Sequence, residues 1–222
     1  MERTRTARRL AAAVAGVGAV CVGFYWFASV PSDTLGLGAE LRNVREVDPG
    51  RFYRSGQLSP ATLREVADAF GIRTVISLRG YDAGSDWHDA EVAVTRDLGI
   101  AHHDVHLSAS SLPHREQILK LLKLYREADR PLLVHCATGA SRTGEASALY
   151  GIEYMGHTKE QALAMLTLRH RYWSWLHPAK RAFVRAYRGK TWVREQYDPC
   201  SPEWGDLDRP SLCDEPRETT MR

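Results

Sequence analysis

A cysteine and an arginine, Cys136 and Arg142, are separated by five small residues. A thiolate is a strong nucleophile, and a guanidinium presents a planar set of donors that fits two phosphate oxygens. Small side chains let the backbone N–H groups between them approach an anion closely. The pattern predicts phosphoryl transfer, in which Cys136 attacks phosphorus and Arg142 stabilises the charge of the transition state. The expected phosphate-binding residues are Ala137, Thr138, Gly139, Ala140, Ser141 and Arg142.

The surroundings of this segment predict a strand, a tight loop and a helix. An apolar run at 131–134 leads in, and a second apolar run at 146–150 follows. Such a loop lies at the positive end of a helix dipole, which favours thiolate over thiol. His135 is expected to order the loop through hydrogen bonds. The hydroxyl of Thr143 is expected to hydrogen-bond the thiolate and make the sulfur a better leaving group.

The string from His135 to Gly144 resembles the signature loop of the protein tyrosine phosphatase superfamily. That loop runs His-Cys, five residues, Arg and then Ser or Thr. Two upstream strings, at 52–57 and 71–79, are similar to the compact dual-specificity-like phosphatases of bacteria, fungi and plants. The resemblance covers about residues 50 to 170. It implies hydrolysis of phosphomonoesters through a phosphocysteine intermediate, with no metal and no cofactor.

The resemblance also implies an aspartic acid, upstream of the cysteine, that protonates the leaving oxygen. Asp104 lies at about the right separation, although it falls inside a predicted strand and the loop after that strand has no carboxylate. We assign Asp104 as the catalytic acid. The alternatives that stay open are the absence of any acid and four other side chains, namely His106, His114, Asp82 and Asp86.

Alternation of strands and helices predicts an α/β domain with a central, mostly parallel sheet of four to five strands flanked by helices. Strands are predicted at 52–54, 72–79, 100–107 and 132–136. Helices are predicted at 60–70, 86–98, 113–127, 142–155, 159–170 and 178–188. Arg79 ends a strand at the edge where such sheets bind ligands, so either it contacts substrate or it forms a surface ion pair.

Composition divides the chain into five segments. Residues 1–9 are basic, and 10–30 are an uncharged run long enough to cross a bilayer. We expect 1–9 in the cytoplasm, 10–30 as a transmembrane signal anchor in the inner or plasma membrane, and the catalytic domain periplasmic or extracellular. A cleaved signal peptide is the alternative. A linker at 31–48, the phosphatase domain at 49–191 and an acidic, proline-rich tail at 192–222 follow.

Several functions compete for the same loop. The net charge of +3 and the lack of a nucleic-acid motif argue against a nucleic-acid partner. Phosphorylated proteins are the first predicted substrates, and phosphoinositides or inositol phosphates are the alternative. The uncharged loop argues against highly phosphorylated substrates. A pseudo-phosphatase that binds without turnover, or a sulfur-transfer or arsenate-reducing enzyme, would use the same cysteine.

Two further groups of side chains invite a specific chemistry. Alternation places His102 and His106 on one face of a strand, where a metal ion would need a third ligand that the sequence does not supply. In an exported domain, Cys200 and Cys213 are able to form a disulfide in the tail.

Overall fold

The computed structural model describes residues 43–213, and its centre is a five-stranded sheet. The strands are β1 (Arg45–Asp48), β2 (Phe52–Ser55), β3 (Thr74–Ser77), β4 (Ala101–Asp104) and β5 (Leu132–His135), in the order β1-β2-β5-β3-β4. Only the β1–β2 pair is antiparallel. The predicted α/β class and the mostly parallel sheet are confirmed.

Helices surround this sheet, and all residues of β2, β3 and β5 are buried, as expected for strands covered on both faces. The helices are α1 (Pro60–Phe70), α2 (Asp86–Asp97), α3 (Arg115–Glu127), α4 (Ser141–Tyr154), α5 (Lys159–Leu163), α6 (Pro178–Ala186) and α7 (Lys190–Glu195). Short 3-10 turns lie at Leu168–His170, Pro202–Trp204 and Ser211–Cys213.

Helix α1 shows how local sequence sets its ends. The Ser59 side chain accepts a hydrogen bond from the Thr62 N–H, and Pro60 takes the first helical position, where no N–H donor is needed. Gly71 ends the helix in the left-handed conformation, with φ of 61°.

The predicted linker at 31–48 is wrong at its C-terminal end. Residues Arg45–Asp48 form the edge strand β1, and the side chain of Asn43 is buried. Charged residues are common on edge strands, and here they leave β1 without the alternating hydrophobic pattern from which a strand is predicted.

The predicted helix at 159–170 is also wrong in its second half. Helix α5 ends at Leu163, and a 3-10 turn follows at Leu168–His170. The break lets Leu166 pack with Ala148 and Tyr172 in a small apolar cluster. Tertiary packing therefore outweighs the helical pattern.

The packed domain continues into the segment predicted as a tail, 192–222. Trp192, Tyr197 and Trp204 belong to the main hydrophobic core, so aromatic burial continues the domain beyond residue 191. Cys200 and Cys213 form a disulfide.

The basic segment at 1–9, the proposed span at 10–30 and the linker residues 31–42 lie outside the described residues, as do 214–222. Within 43–213, no helix has the length and apolar character needed to cross a bilayer.

Candidate active site

The predicted strand, loop and helix are present. β5 ends at His135, Cys136 begins the loop, and α4 starts at Ser141. Cys136 is a free cysteine with 2% of its surface exposed. Burial acts to raise the pKa of its thiol, but the Arg142 guanidinium and hydrogen bonds from Thr143 and Gly139 outweigh it, so the pKa is lowered. The sulfur is thereby biased towards thiolate, in the predicted direction.

Arg142 and Thr143 lie in the first turn of α4, and both act to lower the pKa of the Cys136 thiol. Arg142 is partly exposed, and no carboxylate among residues 43–213 lies within 4.0 Å of its guanidinium. Thr143 is fully buried, and its hydroxyl donates to the Ser55 carbonyl oxygen at 3.4 Å. The Thr143 hydroxyl and backbone N–H both act to lower the pKa of the Cys136 thiol. The loop residues between Cys136 and Arg142 connect β5 to the first turn of α4, and their role in binding phosphate stays a prediction.

The loop is fixed at the carbonyl of Gly139. The Arg54 Nη2 and the Asn43 Nδ2 each donate to this oxygen at 2.7 Å. Arg54 is fully buried on β2, and this burial lowers its pKa to about 10. Gly139 has φ of +70°, and a Cβ there would lie 2.6 Å from the backbone nitrogen of Gly56. Only glycine fits this position.

His135 is hydrogen-bonded to the buried carboxylate of Glu91, and this contact orders the start of the loop. Its Nε2 lies 3.0 Å from Glu91 Oε1, and the same oxygen lies 2.9 Å from His102 Nε2. Both Nε2 atoms must therefore carry a proton. Burial lowers the pKa of His135, but Glu91 and the neighbouring thiolate of Cys136 outweigh this effect and raise it. The same two imidazoles hold the pKa of Glu91 well below its usual value, although burial acts to raise it.

Glu91 also reaches the other side of the loop. Its Oε2 accepts a hydrogen bond of 2.6 Å from Gln57 Nε2, and Gln57 Oε1 accepts one of 2.9 Å from Arg79 Nη1. The guanidinium carbon of Arg79 lies 3.4 Å from the centre of the Trp87 ring. One carboxylate thus links the histidine before the nucleophile to a second arginine.

Asp104, the predicted acid, ends β4 and is partly buried. Its Oδ2 lies 3.2 Å from His88 Nε2 and 3.9 Å from His102 Nδ1. Its Oδ1 is buried without a hydrogen-bond partner among the described residues. The structure thus places Asp104 in the histidine network, and its role as acid stays a prediction.

Of the other acid candidates, His106, Asp82 and Asp86 are exposed and His114 is partly buried. His106 is exposed, with Nδ1 3.2 Å from the Arg79 carbonyl oxygen. Asp82 is exposed and accepts a hydrogen bond of 3.2 Å from Trp87 Nε1. His106 thus contacts Arg79 itself, and Asp82 contacts Trp87, whose ring packs on the Arg79 guanidinium. Asp86 and His114 have no such contact among the described residues.

A buried ion pair supports α4 from behind. Lys180 Nζ on α6 donates to Glu145 Oε2 at 3.1 Å, and both side chains are fully buried. Burial raises the pKa of Glu145 and lowers that of Lys180, in each case against the attraction of the partner. The pair joins α6 to the helix that carries Arg142.

Sequence reasoning missed the residues that hold the loop, namely Asn43, Arg54, Gln57, Glu91 and Lys180. For Glu91 a signal existed: it shares the inward face of α2 with His88, Val94 and Thr95, where a carboxylate needs partners. Of the two histidines that suggested a metal ion, His102 is bonded to the Glu91 carboxylate and His106 lies against the Arg79 carbonyl oxygen. Among residues 43–213, no group of three or more His, Cys, Asp or Glu side chains is placed to hold a metal.

The geometry agrees with what comparison to known proteins finds. A family model described as DSP-PTPase phosphatase fused to NAD+ kinase matches residues 27–184. The chain belongs to this family. The predicted membership of the protein tyrosine phosphatase superfamily, in its dual-specificity-like subgroup, is thereby confirmed.

One curated relative of this chain is the Homo sapiens dual specificity protein phosphatase CDC14C. It is 27% identical over 114 residues, which are 50% of this chain and 24% of the human protein. The match thus spans about a quarter of that relative's length.

Solved structures share the fold. The core catalytic domain of the PP-IP phosphatase SIW14 from S. cerevisiae has a TM-score of 0.55 at 16% identity, covering 75% of this chain and 96% of that one. P. aeruginosa TpbA in complex with pTyr has a TM-score of 0.53 at 20% identity, covering 71% and 95%. PTPMT1 has a TM-score of 0.51 at 13% identity, covering 64% and 94%.

Proposed function

We propose that this chain hydrolyses phosphomonoesters through a phosphocysteine intermediate. The observation that carries the proposal is the Cys136 sulfur, whose lowered pKa results from Arg142, Thr143 and Gly139 within one phosphate-sized loop. Groups that stabilise a thiolate at this place also stabilise the oxygens of a bound phosphate.

The reaction has two steps. The Cys136 thiolate forms a bond to phosphorus while the ester oxygen leaves with a proton from the acid, which we assign to Asp104. Water then attacks the phosphocysteine, the phosphorus–sulfur bond breaks, and inorganic phosphate leaves. Thr143 hydrogen-bonds the departing thiolate. Arg142 contacts two phosphate oxygens in both steps.

Phosphorylated proteins are the first substrate class we propose. The loop positions between Cys136 and Arg142 are small and uncharged, which fits a single phosphate on a side chain. Inositol phosphates and phosphoinositides form the second class, and the position of Arg79 favours it, as argued below.

The test is hydrolysis of an aryl phosphate by the full chain, with reductant and without added metal. We expect the Cys136→Ser variant to lose activity and the Cys21→Ser variant to keep it. Quenching during turnover should trap phosphate on Cys136, seen by mass spectrometry. Turnover that persists in Cys136→Ser would contradict the mechanism, and absence of turnover in the unaltered chain would favour a binding-only pseudo-phosphatase.

We also propose that residues 10–30 anchor the chain in the inner or plasma membrane, with the domain outside the cytoplasm. The Cys200–Cys213 disulfide supports this location, because disulfides persist mainly in oxidising compartments. Alkaline extraction of membranes and protease protection test it. Release of the intact chain from membranes by alkali would contradict the membrane anchor. Protection of the domain from externally added protease, as expected for a domain on the cytoplasmic side, would contradict the orientation.

A further inference from the structure

A second arginine lies at the same edge of the sheet as the loop. β3 and β5 are parallel neighbours with Ser77 opposite His135, and the Leu78 N–H donates to the His135 carbonyl at 2.8 Å. Arg79, the next residue, therefore leaves the sheet beside Cys136 and the start of the loop. This is the edge at which parallel sheets bind their ligands.

The guanidinium of Arg79 is held in place before any ligand binds. Its carbon lies 3.4 Å from the centre of the Trp87 ring, and its Nη1 donates to Gln57 Oε1 at 2.9 Å. The Gln57 backbone N–H in turn donates to the Ala137 carbonyl at 3.1 Å. Arg79 is thus connected through Gln57 to Ala137, the residue after Cys136, and a pre-positioned side chain loses less entropy when it binds.

The charge of Arg79 is not neutralised by an ion pair. Within residues 43–213, no carboxylate lies within 4.0 Å of its guanidinium, and the same holds for Arg142. Burial and then the positive charge of Arg142 lower the pKa of Arg79, which places the two guanidinium groups in each other's field, while the charges of Glu91, Asp82 and Cys136 act to raise it. Two cations next to one nucleophile suit a ligand with more negative charge than one phosphate carries.

We propose that Arg79 binds a second phosphate group on the same substrate molecule, adjacent to the phosphate that Cys136 attacks. The inference rests on the proposed function, since it assigns a substrate class to that site. It also revises the expectation from the uncharged loop: the additional cation comes from the end of β3 instead of from a loop position. Adjacent phosphates occur on inositol polyphosphates, either free or as lipid headgroups.

Binding of small anions tests the proposal without turnover. The full chain carrying Cys136→Ser is titrated by calorimetry with orthophosphate and with pyrophosphate, which has two adjacent phosphates. We expect pyrophosphate to bind more tightly. In the same chain, Arg79→Gln should reduce the preference for pyrophosphate about 10-fold to 100-fold, the size of a charge-assisted hydrogen bond. Arg79→Lys should keep part of it.

The matched control is Arg73→Gln, an exposed arginine just before the opposite end of β3, which should leave the preference unchanged. A preference that survives Arg79→Gln, or that falls equally in Arg73→Gln, would overturn the proposal. So would an equal loss of affinity for both anions in Arg79→Gln.

Turnover by the cysteine-containing chain then separates the two sources of adjacent phosphates. We compare kcat/KM for an inositol phosphate with two adjacent phosphates against its counterpart with one, and for the matching pair of short-chain phosphatidylinositol phosphates. If both pairs show the Arg79-dependent preference, the site recognises the phosphates alone. If only the lipid pair shows it, the site recognises the phosphates as part of a lipid headgroup. Failure to hydrolyse any phosphate ester would overturn the proposed function and leave the binding result intact.

Discussion

Glu91 is the residue on which the polar contacts around the loop converge. Its two oxygens accept hydrogen bonds from His135, His102 and Gln57, and through Gln57 it also sets the position of Arg79. It does not contact the Cys136 sulfur in the structure, so we regard it as a positioning residue. Its negative charge raises the pKa of His135 beside Cys136.

Glu91→Gln is expected to raise the pKa of the Cys136 thiol, because a neutral amide no longer stabilises the His135 cation. The measurement is the rate of iodoacetamide alkylation of Cys136 against pH, whose midpoint should move to higher pH. Glu65→Gln, an exposed glutamate on α1, is the control and should leave the midpoint in place. An unchanged midpoint in Glu91→Gln would contradict the role.

The pair of His135 and Glu91 makes the stability of the fold depend on pH in a defined range. The pKa of His135 is raised in the folded state, so its contribution is complete below about pH 6.5 and is lost as pH rises through the raised value. The pKa of Glu91 is lowered, so its contribution is lost only as pH falls through the lowered value. The Tm difference between the unaltered chain and Glu91→Gln should therefore shrink at high pH.

The role of catalytic acid predicted for Asp104 is hard to reconcile with its surroundings, because its carboxylate faces His88 and His102. If it is the acid, Asp104→Asn should lower kcat/KM for a poor leaving group by about 10²-fold and remove the alkaline limb of the pH profile. Asp82→Asn is the comparison and should keep that limb. An alkaline limb retained in Asp104→Asn and lost in Asp82→Asn would move the role to Asp82.

At the scale of elements, the loop depends on segments that are far away in sequence. Local sequence patterns predict β5, α4 and the nucleophile Cys136. They do not predict the clamp on the Gly139 carbonyl, because Asn43 and Arg54 lie 96 and 85 residues before it. β1 has no hydrophobic signature of its own and exists because β2 offers it an edge. Patterns within one element predict that element; contacts between elements set the site.

Gly139→Ala tests how closely the loop fits against β2. The new Cβ would lie 2.6 Å from the Gly56 nitrogen, so the loop must shift, and kcat/KM should fall by about 10²-fold, as for a displacement of about 1 Å. Gly71→Ala is the matched control, since it also has positive φ but open space around it. It should cost on the order of 1 kcal/mol of stability and leave kcat/KM unchanged. Equal activity in the two variants would contradict the close fit.

At the scale of the whole molecule, the core extends well beyond the matched phosphatase region. Aromatic residues from 192 to 204 pack against α3 and α6 residues such as Ile118 and Phe183. Composition alone suggested a tail there, because prolines and acidic residues outnumber the few large aromatics that bury. The Lys180–Glu145 pair belongs to this same scale, since it joins two helices inside the core.

Lys180→Met should destabilise the fold by about 3–5 kcal/mol, because it leaves the Glu145 carboxylate buried without its partner. Adding Glu145→Leu should restore most of the loss. Lys123→Met breaks an exposed pair with Glu127 and should cost less than about 1 kcal/mol. Urea unfolding of the full chain measures all three, and equal midpoints for Lys180→Met and Lys123→Met would contradict the prediction.

The sulfur atoms of the domain have opposite requirements. The proposed mechanism needs Cys136 as a free thiolate, and Cys136 is a free cysteine, whereas Cys200 and Cys213 are joined by a disulfide. A reductant strong enough to regenerate an oxidised Cys136 also threatens the bond that closes the segment around Trp204. The 2% exposure of Cys136 offers one resolution, since restricted access slows oxidants even where the environment favours disulfides. Handling this protein therefore needs a mild reductant, one that keeps the Cys136 thiol reduced and leaves the Cys200–Cys213 bond intact.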